Sequence, residues 1–435
     1  MSTLDQPLAK RLISRLKAGT APIDCVDQLN VGNEAWYSAA VQYFEDLAQD
    51  GDALVRFVRG HYGDGKTHFL GMLGALAFKN GWSVSYVTAE RTKLHKFEVV
   101  YSEIIKAINL PPGVSIVPWL TEIRPRGAMS LLGAFFSKIY IDVHGAANEH
   151  GINRMSVLHE VKQRVAKFSA ANGFHDLVST ALMIFTKAAL AQEAQGMSDM
   201  VSWFQGDDVK FRDKGINRRI DQRLARDVLR CLTQVSQHVG IRGTLVLLDE
   251  AELILAQTKS VRTKSYSVLR DLLDNADPQA GMRASIIYIA ATPEMFTAKE
   301  GFAEYEALRS RLMPALSFTS KRFIDYRDVV VDLTRTPLPA DLLFQLAKKV
   351  RGIHSVARQW DASAHISDDL LQIIVTRIDN GSFPVSKPRM VTSVITQLLE
   401  SAEQNRTEDP TLAIEATVSD AAQTLSMRPD SEKWD

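Results

Sequence analysis

The chain has 435 residues, 46% of them hydrophobic and 23% charged, and its 51 basic and 51 acidic side chains give a formal net charge of zero. No uninterrupted apolar run reaches the roughly 18 residues that span a bilayer, so we expect a soluble protein of two or three compact units without a membrane partner. The two cysteines form no C-x-x-C pair, which argues against a disulfide framework or a cysteine zinc site and favours a cytoplasmic location.

The first segment of the chain, 1–30, predicts an N-terminal helical arm. Leu8, Leu12 and Leu16 recur at helical spacing with basic residues between them, but no continuous apolar core marks a signal peptide. A turn and a second helix with apolar periodicity then lead into a short strand. We therefore expect the arm to be a docked amphipathic helix.

The stretch from Leu54 to Phe78 predicts a strand, a glycine loop and a helix, and its residues 60–67 fit the pattern G-x-x-x-x-G-K-[ST]. Glycines let backbone N–H groups approach phosphate oxygens, and a helix N-terminus adds its positive dipole end. A lysine ammonium can reach the β- and γ-phosphates, and a threonine hydroxyl can bind Mg²⁺. The sequence therefore predicts a site for a nucleoside triphosphate with magnesium. The residues concerned are Gly60, Gly63, Gly65, Lys66 and Thr67.

A second strand is predicted from Trp82 to Glu90, followed by a helix that Pro111 and Pro112 stop. The segment 113–240 is mostly helical in pattern. A helical block of this size between two core strands would be an insertion, and such insertions commonly carry partner or regulatory contacts.

Four arginines near the end of this insertion have 4-3-4 spacing, so on a helix predicted from Asn217 to Arg230 they share one face. Two interpretations are open: a solvated face paired with Asp227 and other carboxylates, or a stripe that binds the phosphates of DNA, RNA or the nucleotide. The zero net charge argues against binding nucleic acid over the whole surface, but it allows a local patch. The four residues are Arg219, Arg223, Arg226 and Arg230.

A third strand, Thr244 to Leu248, ends in two acidic residues, Asp249 and Glu250. The carboxyl end of a buried parallel strand would lie beside the phosphate loop, where Asp249 can hold Mg²⁺ and Glu250 can deprotonate the attacking water. Glu252 is interpreted as a helix-start carboxylate.

The next strand, Ile286 to Ala290, is followed by Thr292. Thr292 can position the attacking water beside the γ-phosphate, or it can be the N-cap of a helix that begins at Pro293. Further on, Arg309 and Arg311 near a helix end can form surface ion pairs, or reach the γ-phosphate of a neighbouring subunit in a homo-oligomer.

A last strand, Val329 to Leu333, precedes three helices that we expect to form a small lid over 336–403. Ser367 caps the second of them, and Pro388 starts the third. The remaining segment, 404–435, is expected to be a polar and partly disordered tail, because it is too short for a separate domain.

The order of these motifs resembles that of the AAA+ ATPases: "VGNE", "GHYGDGKTH", "LVLLDE", "AATPE", "ALRSRL" and "KPRM". More narrowly, "FVRGHYGDGKTHFL", "LLDEAELIL" and "ALRSRL" look like BrxD-type ATPases of BREX and related bacterial phage-defence systems. The resemblance implies an α/β fold, an AAA+-like P-loop NTPase sheet flanked by helices, with the core at 31–335. One departure is Asn33, where related ATPases often have arginine.

The resemblance also implies residue roles. Asp249 and Glu250 match Walker B, and Thr292 matches sensor 1. Either Arg309 or Arg311 matches the arginine finger, and both remain candidates. The residues that match nucleotide-binding positions are Val31, Gly32, Gly60, Gly63, Asp64, Gly65, Lys66, Thr67, His68 and, as sensor 2, Arg389; the Mg²⁺ ligands are Thr67 and Asp249.

The leading hypothesis is an ATPase that couples ATP hydrolysis to conformational change or assembly in a defence complex acting on DNA. Its expected partners are a helicase, a nuclease or a methyltransferase. The alternative is a switch that binds ATP, hydrolyses it negligibly, and recruits a nuclease or helicase. A small-molecule kinase is disfavoured because it would leave the lid and the paired arginines without a role.

Overall fold

The structure, a computed structural model, describes residues 4–18, 23–121, 126–150, 154–274, 281–317, 323–383, 385–407 and 410–427. Within these ranges the strands are β1 (Ala53–Arg59), β2 (Trp82–Thr88), β3 (Gly243–Asp249), β4 (Ser285–Ala291) and β5 (Val330–Asp332). They form one parallel sheet in the order β2-β3-β4-β1-β5. The predicted α/β class with a parallel sheet flanked by helices is confirmed.

Helices cover both faces of the sheet. In chain order, the helices of the described part of the chain begin with α1 (Gln6–Lys17), α2 (Glu34–Asp50), α3 (Lys66–Lys79) and α4 (Phe97–Ala107), of which α1 packs away from the sheet. Between β2 and β3 they continue with α5 (Pro118–Thr121), α6 (Ala128–His150), α7 (Arg154–Ala171), α8 (Asp176–Ala191), α9 (Ala194–Phe204) and α10 (Gln222–His238). After β3 they are α11 (Lys259–Asp274), α12 (Pro293–Thr297), α13 (Glu306–Ser317), α14 (Ala340–Arg358), α15 (Ala362–His365), α16 (Asp368–Asn380), α17 (Lys387–Gln404) and α18 (Ile414–Met427).

The side-chain alternation of β1 divides the core into two layers. Val55 and Phe57 pack with the helices of the insertion and α11, whereas Val58 packs on the opposite face with α2 and α3. On that second face the rings of Phe44 and Trp82 lie 5.2 Å apart. Because both faces are covered, the strands are buried and rich in β-branched residues.

Strand register brings the functional strand ends to one edge of the sheet. Arg59 pairs with Ala291, so β1 and β4 end at the same level, and Thr88 pairs with Asp249 at the ends of β2 and β3. The phosphate-loop segment follows β1 directly. Ligands of open parallel sheets bind at the carboxyl ends of the strands, so this edge is the place to look for a site.

A third hydrophobic cluster lies apart from the sheet. Helix α1 packs on α14 and α17 through buried Leu12 and Ile13, so the N-terminal arm joins the helices of the predicted lid. Ser367 caps α16 by accepting a hydrogen bond from the Leu370 N–H at 3.2 Å, as its position predicted.

The expectation of a polar tail missed a helix. α18 packs on α17, because Ile414, Val418, Ala421 and Leu425 recur at helical spacing and are buried. The part of the predicted tail at 428–435 lies outside the described residues.

The helix predicted from Asn217 begins later. α10 starts at Gln222 because Asp221 is its N-cap and accepts a hydrogen bond from the Leu224 N–H at 3.0 Å. Arg219 therefore lies before the helix, and the prediction that it shares a helical face with Arg223 was wrong.

Cys25 and Cys231 are both buried, and neither forms a disulfide in the described part of the chain. No helix in the described ranges combines the length and apolarity needed to cross a membrane.

Candidate functional site

The glycine loop between β1 and α3 is held by its own backbone and one carboxylate. Gly63 and Gly65 adopt φ values of +84° and +91°, which residues with a Cβ rarely tolerate. The carboxylate of Asp64 accepts a hydrogen bond from the His61 N–H at 2.7 Å, across the loop. Asp64 thus shapes the loop, and α3 begins immediately after it at Lys66.

Lys66 points into the loop it follows. Its side chain is 8% exposed, and its ammonium donates to the carbonyl oxygens of Gly60 at 2.9 Å and His61 at 3.3 Å. The carboxylate Oε1 of Glu252 lies 4.0 Å from the same nitrogen. The ammonium is therefore kept where the loop would surround an anion, on partners that an anion can replace.

Asp249, at the end of β3, is 1% exposed and accepts three hydrogen bonds. Its Oδ2 accepts from the Thr67 hydroxyl at 2.6 Å and from the Tyr86 phenol at 2.7 Å, and its Oδ1 accepts from the Glu250 N–H at 2.9 Å. Burial and the Asp249 charge raise the pKa of Tyr86, so the phenol is protonated and donates. The Asp249 carboxylate thus connects the end of β3 to the start of α3 and to β2.

Two further carboxylates flank Asp249. Glu250 has a left-handed backbone with φ +61°, and burial together with the charges of Asp249 and Glu252 raises its pKa. Strained backbone of this kind in a non-glycine residue is common at functional sites.

Glu252 lies in a short 3₁₀ segment, Ala251–Ile254, and its side chain is 6% exposed. Burial raises its pKa against the opposing effect of Lys66, and its Oε2 has no hydrogen-bond partner among the residues that the structure describes. The interpretation of Glu252 as a helix-start carboxylate was therefore incomplete, because the side chain faces the cavity described next.

A cavity of about 650 Å³ lies between the glycine loop and the lid. The loop side includes Gly63, Asp64, Gly65, Lys66, Thr67 and His68, with Asp249, Glu250 and Glu252 behind them. Its other walls carry Val31, Asn33, Leu338, Phe383 and Arg389, with Leu16 and Lys17 of α1 and Thr424 and Leu425 of α18. One end is thus polar, with Lys66 among several carboxylates, whereas the other is lined mainly by apolar side chains, which suits a ligand with a charged and an apolar part.

Two predicted site residues, Gly60 and Gly32, support the cavity without lining it, whereas His68 lines it. Gly60 supplies a carbonyl to Lys66. Gly32 has φ +72°, and a Cβ there would lie 2.7 Å from Leu338, so it lets two chain segments approach closely. His68 lines the wall, and burial with the nearby Lys349 charge lowers its pKa to about 4, so its ring is neutral at pH 7.

The lid touches the loop at Gly63. A Cβ on this glycine would lie 2.5 Å from the Ser386 hydroxyl and 3.0 Å from Cδ of Arg389. Both residues belong to the start of α17, where Ser386 is the N-cap. Arg389 therefore lies beside the loop, and its assignment to the sensor 2 position stays a prediction.

Thr292 occupies the N-cap position of α12 with Pro293 after it, but its hydroxyl makes no capping hydrogen bond. It is 3% exposed and follows β4 at the same edge of the sheet. Capping alone therefore does not account for its hydroxyl, and the prediction that it acts on a water molecule stays open.

Arg309 and Arg311 lie on α13, exposed and outside the cavity wall. Arg311 pairs with Asp274 at 3.0 Å. Within the described part of the chain no ion pair involves Arg309. Neither arginine reaches the loop of its own chain, which is the arrangement that a finger acting on a neighbouring subunit would need.

Of the four arginines of the predicted stripe, Arg223, Arg226 and Arg230 lie on α10, and Arg219 lies before it. Arg219 pairs with Asp208 at 2.9 Å, Arg226 pairs with Asp271, and Arg230 donates to a backbone carbonyl. Carboxylate pairing, the first of the two interpretations, therefore accounts for two of the four.

Sequence reasoning missed Tyr86 and the walls supplied by α1 and α18. No motif marks Tyr86, which lies on β2 two residues before the strand ends, and only the pairing of β2 with β3 brings it to Asp249. Among the described residues, no group of three or more His, Cys, Asp or Glu side chains has metal-binding geometry.

Fold and cavity together define an α/β protein whose parallel sheet presents a glycine loop, a buried lysine and an acidic strand end to one cleft. The chain belongs to the family described as BREX system ATP-binding protein BrxC/D, which matches residues 5–418. It is therefore an ATP-binding protein of the BREX defence system, and the resemblance drawn from its motifs is confirmed. No curated protein and no solved structure matches it significantly.

Proposed function

We propose that this protein is a P-loop ATPase of the AAA+ type, which binds ATP with Mg²⁺ at the glycine loop and hydrolyses it. Hydrolysis would drive a conformational change or assembly within a BREX complex that acts on DNA. One observation carries the proposal: the Thr67 hydroxyl and the Asp249 carboxylate, 182 positions apart in sequence, are hydrogen-bonded at 2.6 Å. A loop suited to phosphates and a carboxylate suited to a divalent cation thus share one cleft.

The residues fit a polyphosphate. Gly65 has φ +91°, and a Cβ there would meet nothing nearer than His68 at 4.0 Å, so its glycine serves the backbone conformation. The N-terminus of α3 and the Lys66 ammonium supply positive charge on the same side. On binding, Lys66 would exchange the carbonyls of Gly60 and His61 for phosphate oxygens.

The residues also fit Mg²⁺, which needs few protein ligands when phosphates supply the others. Bound Mg²⁺ would neutralise charge on the phosphate oxygens. The Thr67 hydroxyl uses its hydrogen on Asp249, so its oxygen retains lone pairs for a cation. Asp249 has no cationic hydrogen-bond partner in the described part of the chain, and its buried negative charge favours a cation nearby.

Glu250 is the proposed general base. Its raised pKa makes it a stronger proton acceptor than an exposed glutamate, and it follows Asp249 directly. Thr292 would help to orient the attacking water, and Arg389 would contact the phosphates from the lid. Arg309 is the better finger candidate because Arg311 is already paired with Asp274.

A switch without turnover remains the second candidate, and one observation favours it. Lys66 is tied to two carbonyls and lies 4.0 Å from Glu252, so in the described conformation the loop lysine is engaged by oxygens of the protein itself. A protein that mainly changes state on binding ATP would have use for such a resting arrangement.

The deciding experiment compares wild type with Glu250→Gln. We expect both to bind a fluorescent ATP analogue with similar affinity, whereas release of phosphate should fall at least about a hundredfold in the variant because the base is lost. Steady turnover by wild type without partners excludes the switch. Turnover that E250Q leaves intact excludes Glu250 as the base.

Two additions test the wider proposal. Duplex DNA should raise the rate of turnover if the complex acts on DNA. Mass measurement with and without ATP should show assembly if a neighbouring subunit supplies Arg309. Because Arg219 and Arg226 are engaged by carboxylates, we do not assign a DNA contact to them.

A further inference from the structure

Tyr86 lies outside the motifs and behind the cavity wall. On β2 it pairs in register with Leu247, two residues before Asp249 on β3, so its side chain reaches the carboxylate diagonally across the two strands. Its phenol oxygen is 2.7 Å from Asp249 Oδ2. The two strands are hydrogen-bonded along their whole length, which fixes this distance more firmly than a loop could.

The acceptor sites of the Asp249 carboxylate can be counted. An ionised carboxylate offers about four lone-pair directions, two on each oxygen. The Thr67 hydroxyl and the Tyr86 phenol take two on Oδ2, and the Glu250 N–H takes one on Oδ1. Among the described residues no other donor takes the remaining direction, which is on Oδ1.

We infer that Tyr86 is a positioning residue, which orients the Asp249 carboxylate so that a single lone pair of Oδ1 faces a divalent cation or a water bound to it. The inference rests on the proposed function, since it concerns the cation of the same site. The hydroxyl of Tyr86 touches neither nucleotide nor cation; it acts through Asp249.

A fixed carboxylate should discriminate between cations. Mg²⁺ demands near-ideal octahedral geometry, whereas Ca²⁺ accepts irregular sets and bidentate carboxylates. With Oδ2 occupied by two donors, Asp249 cannot become bidentate. Removal of the phenol frees one Oδ2 direction and lets the carboxylate turn, so the preference for Mg²⁺ over Ca²⁺ should weaken.

The test is Tyr86→Phe, which keeps the ring and removes the hydroxyl. Binding of a fluorescent ADP is titrated with Mg²⁺, with Ca²⁺ and with EDTA. In wild type we expect Mg²⁺ to strengthen binding over EDTA more than Ca²⁺ does. In Y86F the increase in ADP affinity that Mg²⁺ gives over EDTA should fall about tenfold, which is the usual effect of losing one hydrogen bond to a charged group. The increase that Ca²⁺ gives should change less.

Tyr266→Phe is the matched control. Tyr266 is buried on α11, and its phenol donates to the backbone carbonyl of Glu300. The variant should lose a phenol hydrogen bond, here to a neutral carbonyl, and keep the wild-type preference for Mg²⁺. A change in both variants would mean a general structural effect and would overturn the inference.

Asp249→Asn supplies an independent arm. When the carboxylate is gone, adding Y86F should not reduce the gain from Mg²⁺ any further. If Y86F does not fold, Tyr86→His, whose ring is too short for the 2.7 Å contact, replaces it.

The outcomes separate the two proposals. If wild type binds ADP with a gain from Mg²⁺ and Y86F keeps the full gain and the full preference, the role of Tyr86 is refuted while the ATP site stands. If wild type binds no nucleotide under any condition, the proposed function itself fails.

Discussion

Gly63→Ala separates backbone strain from contact between loop and lid. Gly63 has φ +84°, and an added Cβ would lie 2.5 Å from the Ser386 hydroxyl and 3.1 Å from Cβ of Arg389. Ordinary contact begins near 3.4 Å, so the start of α17 would have to retreat by up to about 0.9 Å. The control is Gly113→Ala, because Gly113 has φ +90° and nothing within 4 Å of the added Cβ.

Both variants should lose about 1 kcal/mol of unfolding free energy to left-handed strain. Only Gly63→Ala should also weaken ATP binding, by about tenfold or more, since Arg389 would be displaced from the loop. Thermal unfolding measures the shared loss, and titration with a fluorescent ATP analogue measures the difference. If the two alanine variants bind the analogue equally well, the lid does not contribute to the nucleotide site in the way the geometry requires.

Three further predictions concern charged groups. The cations around Glu400 hold its pKa at about 2 despite burial, below the usual 4.5. Glu400→Gln should therefore lower the free energy of unfolding by about 2 kcal/mol at pH 7, a figure reduced to allow for solvent screening. The difference in free energy of unfolding between variant and wild type should disappear as pH falls from 4.5 towards 2. Burial raises the pKa of Glu252, so its charge destabilises the fold above pH 4.5. The melting temperature of Glu252→Gln should therefore be higher than that of wild type, and the difference should grow with pH. A lower melting temperature of the variant at pH 8 would contradict this. Arg309→Ala should reduce turnover at least about a hundredfold at unchanged ATP affinity, whereas Arg311→Ala should lose only a surface ion pair and keep its kcat; the reverse result would exchange their roles.

The strands and the phosphate loop were predictable because their signals are local. An apolar run of β-branched residues, a glycine pattern and an acidic strand end each occupy fewer than ten or so neighbouring positions. The predicted third strand, Thr244 to Leu248, differs from β3 by one residue at each end. The pairing between strands, by contrast, depends on distant segments and cannot be predicted from either one alone. It is this pairing of β2 with β3 that brings Tyr86 to Asp249.

Other features escaped because two local signals competed. For Arg219, the 4-3-4 arginine spacing indicated an early helix start, but the capping carboxylate of Asp221 sets the start at Gln222. For Glu252, position after a strand indicated a helix start, but the 3₁₀ turn directs the side chain inward towards Lys66. In α18 the polar composition concealed an apolar stripe.

Lys17 of α1 and Leu425 of α18 wall the same cavity, although they come from opposite parts of the described sequence. Both helices pack on the lid. Helix α1 contacts α14 and α17, whereas α18 contacts α17. A partner protein that bound either helix and pulled it away from the lid would open the cavity and speed nucleotide release without contacting the phosphates. The rate at which ADP is exchanged for ATP would then depend on contacts at the surface of the molecule.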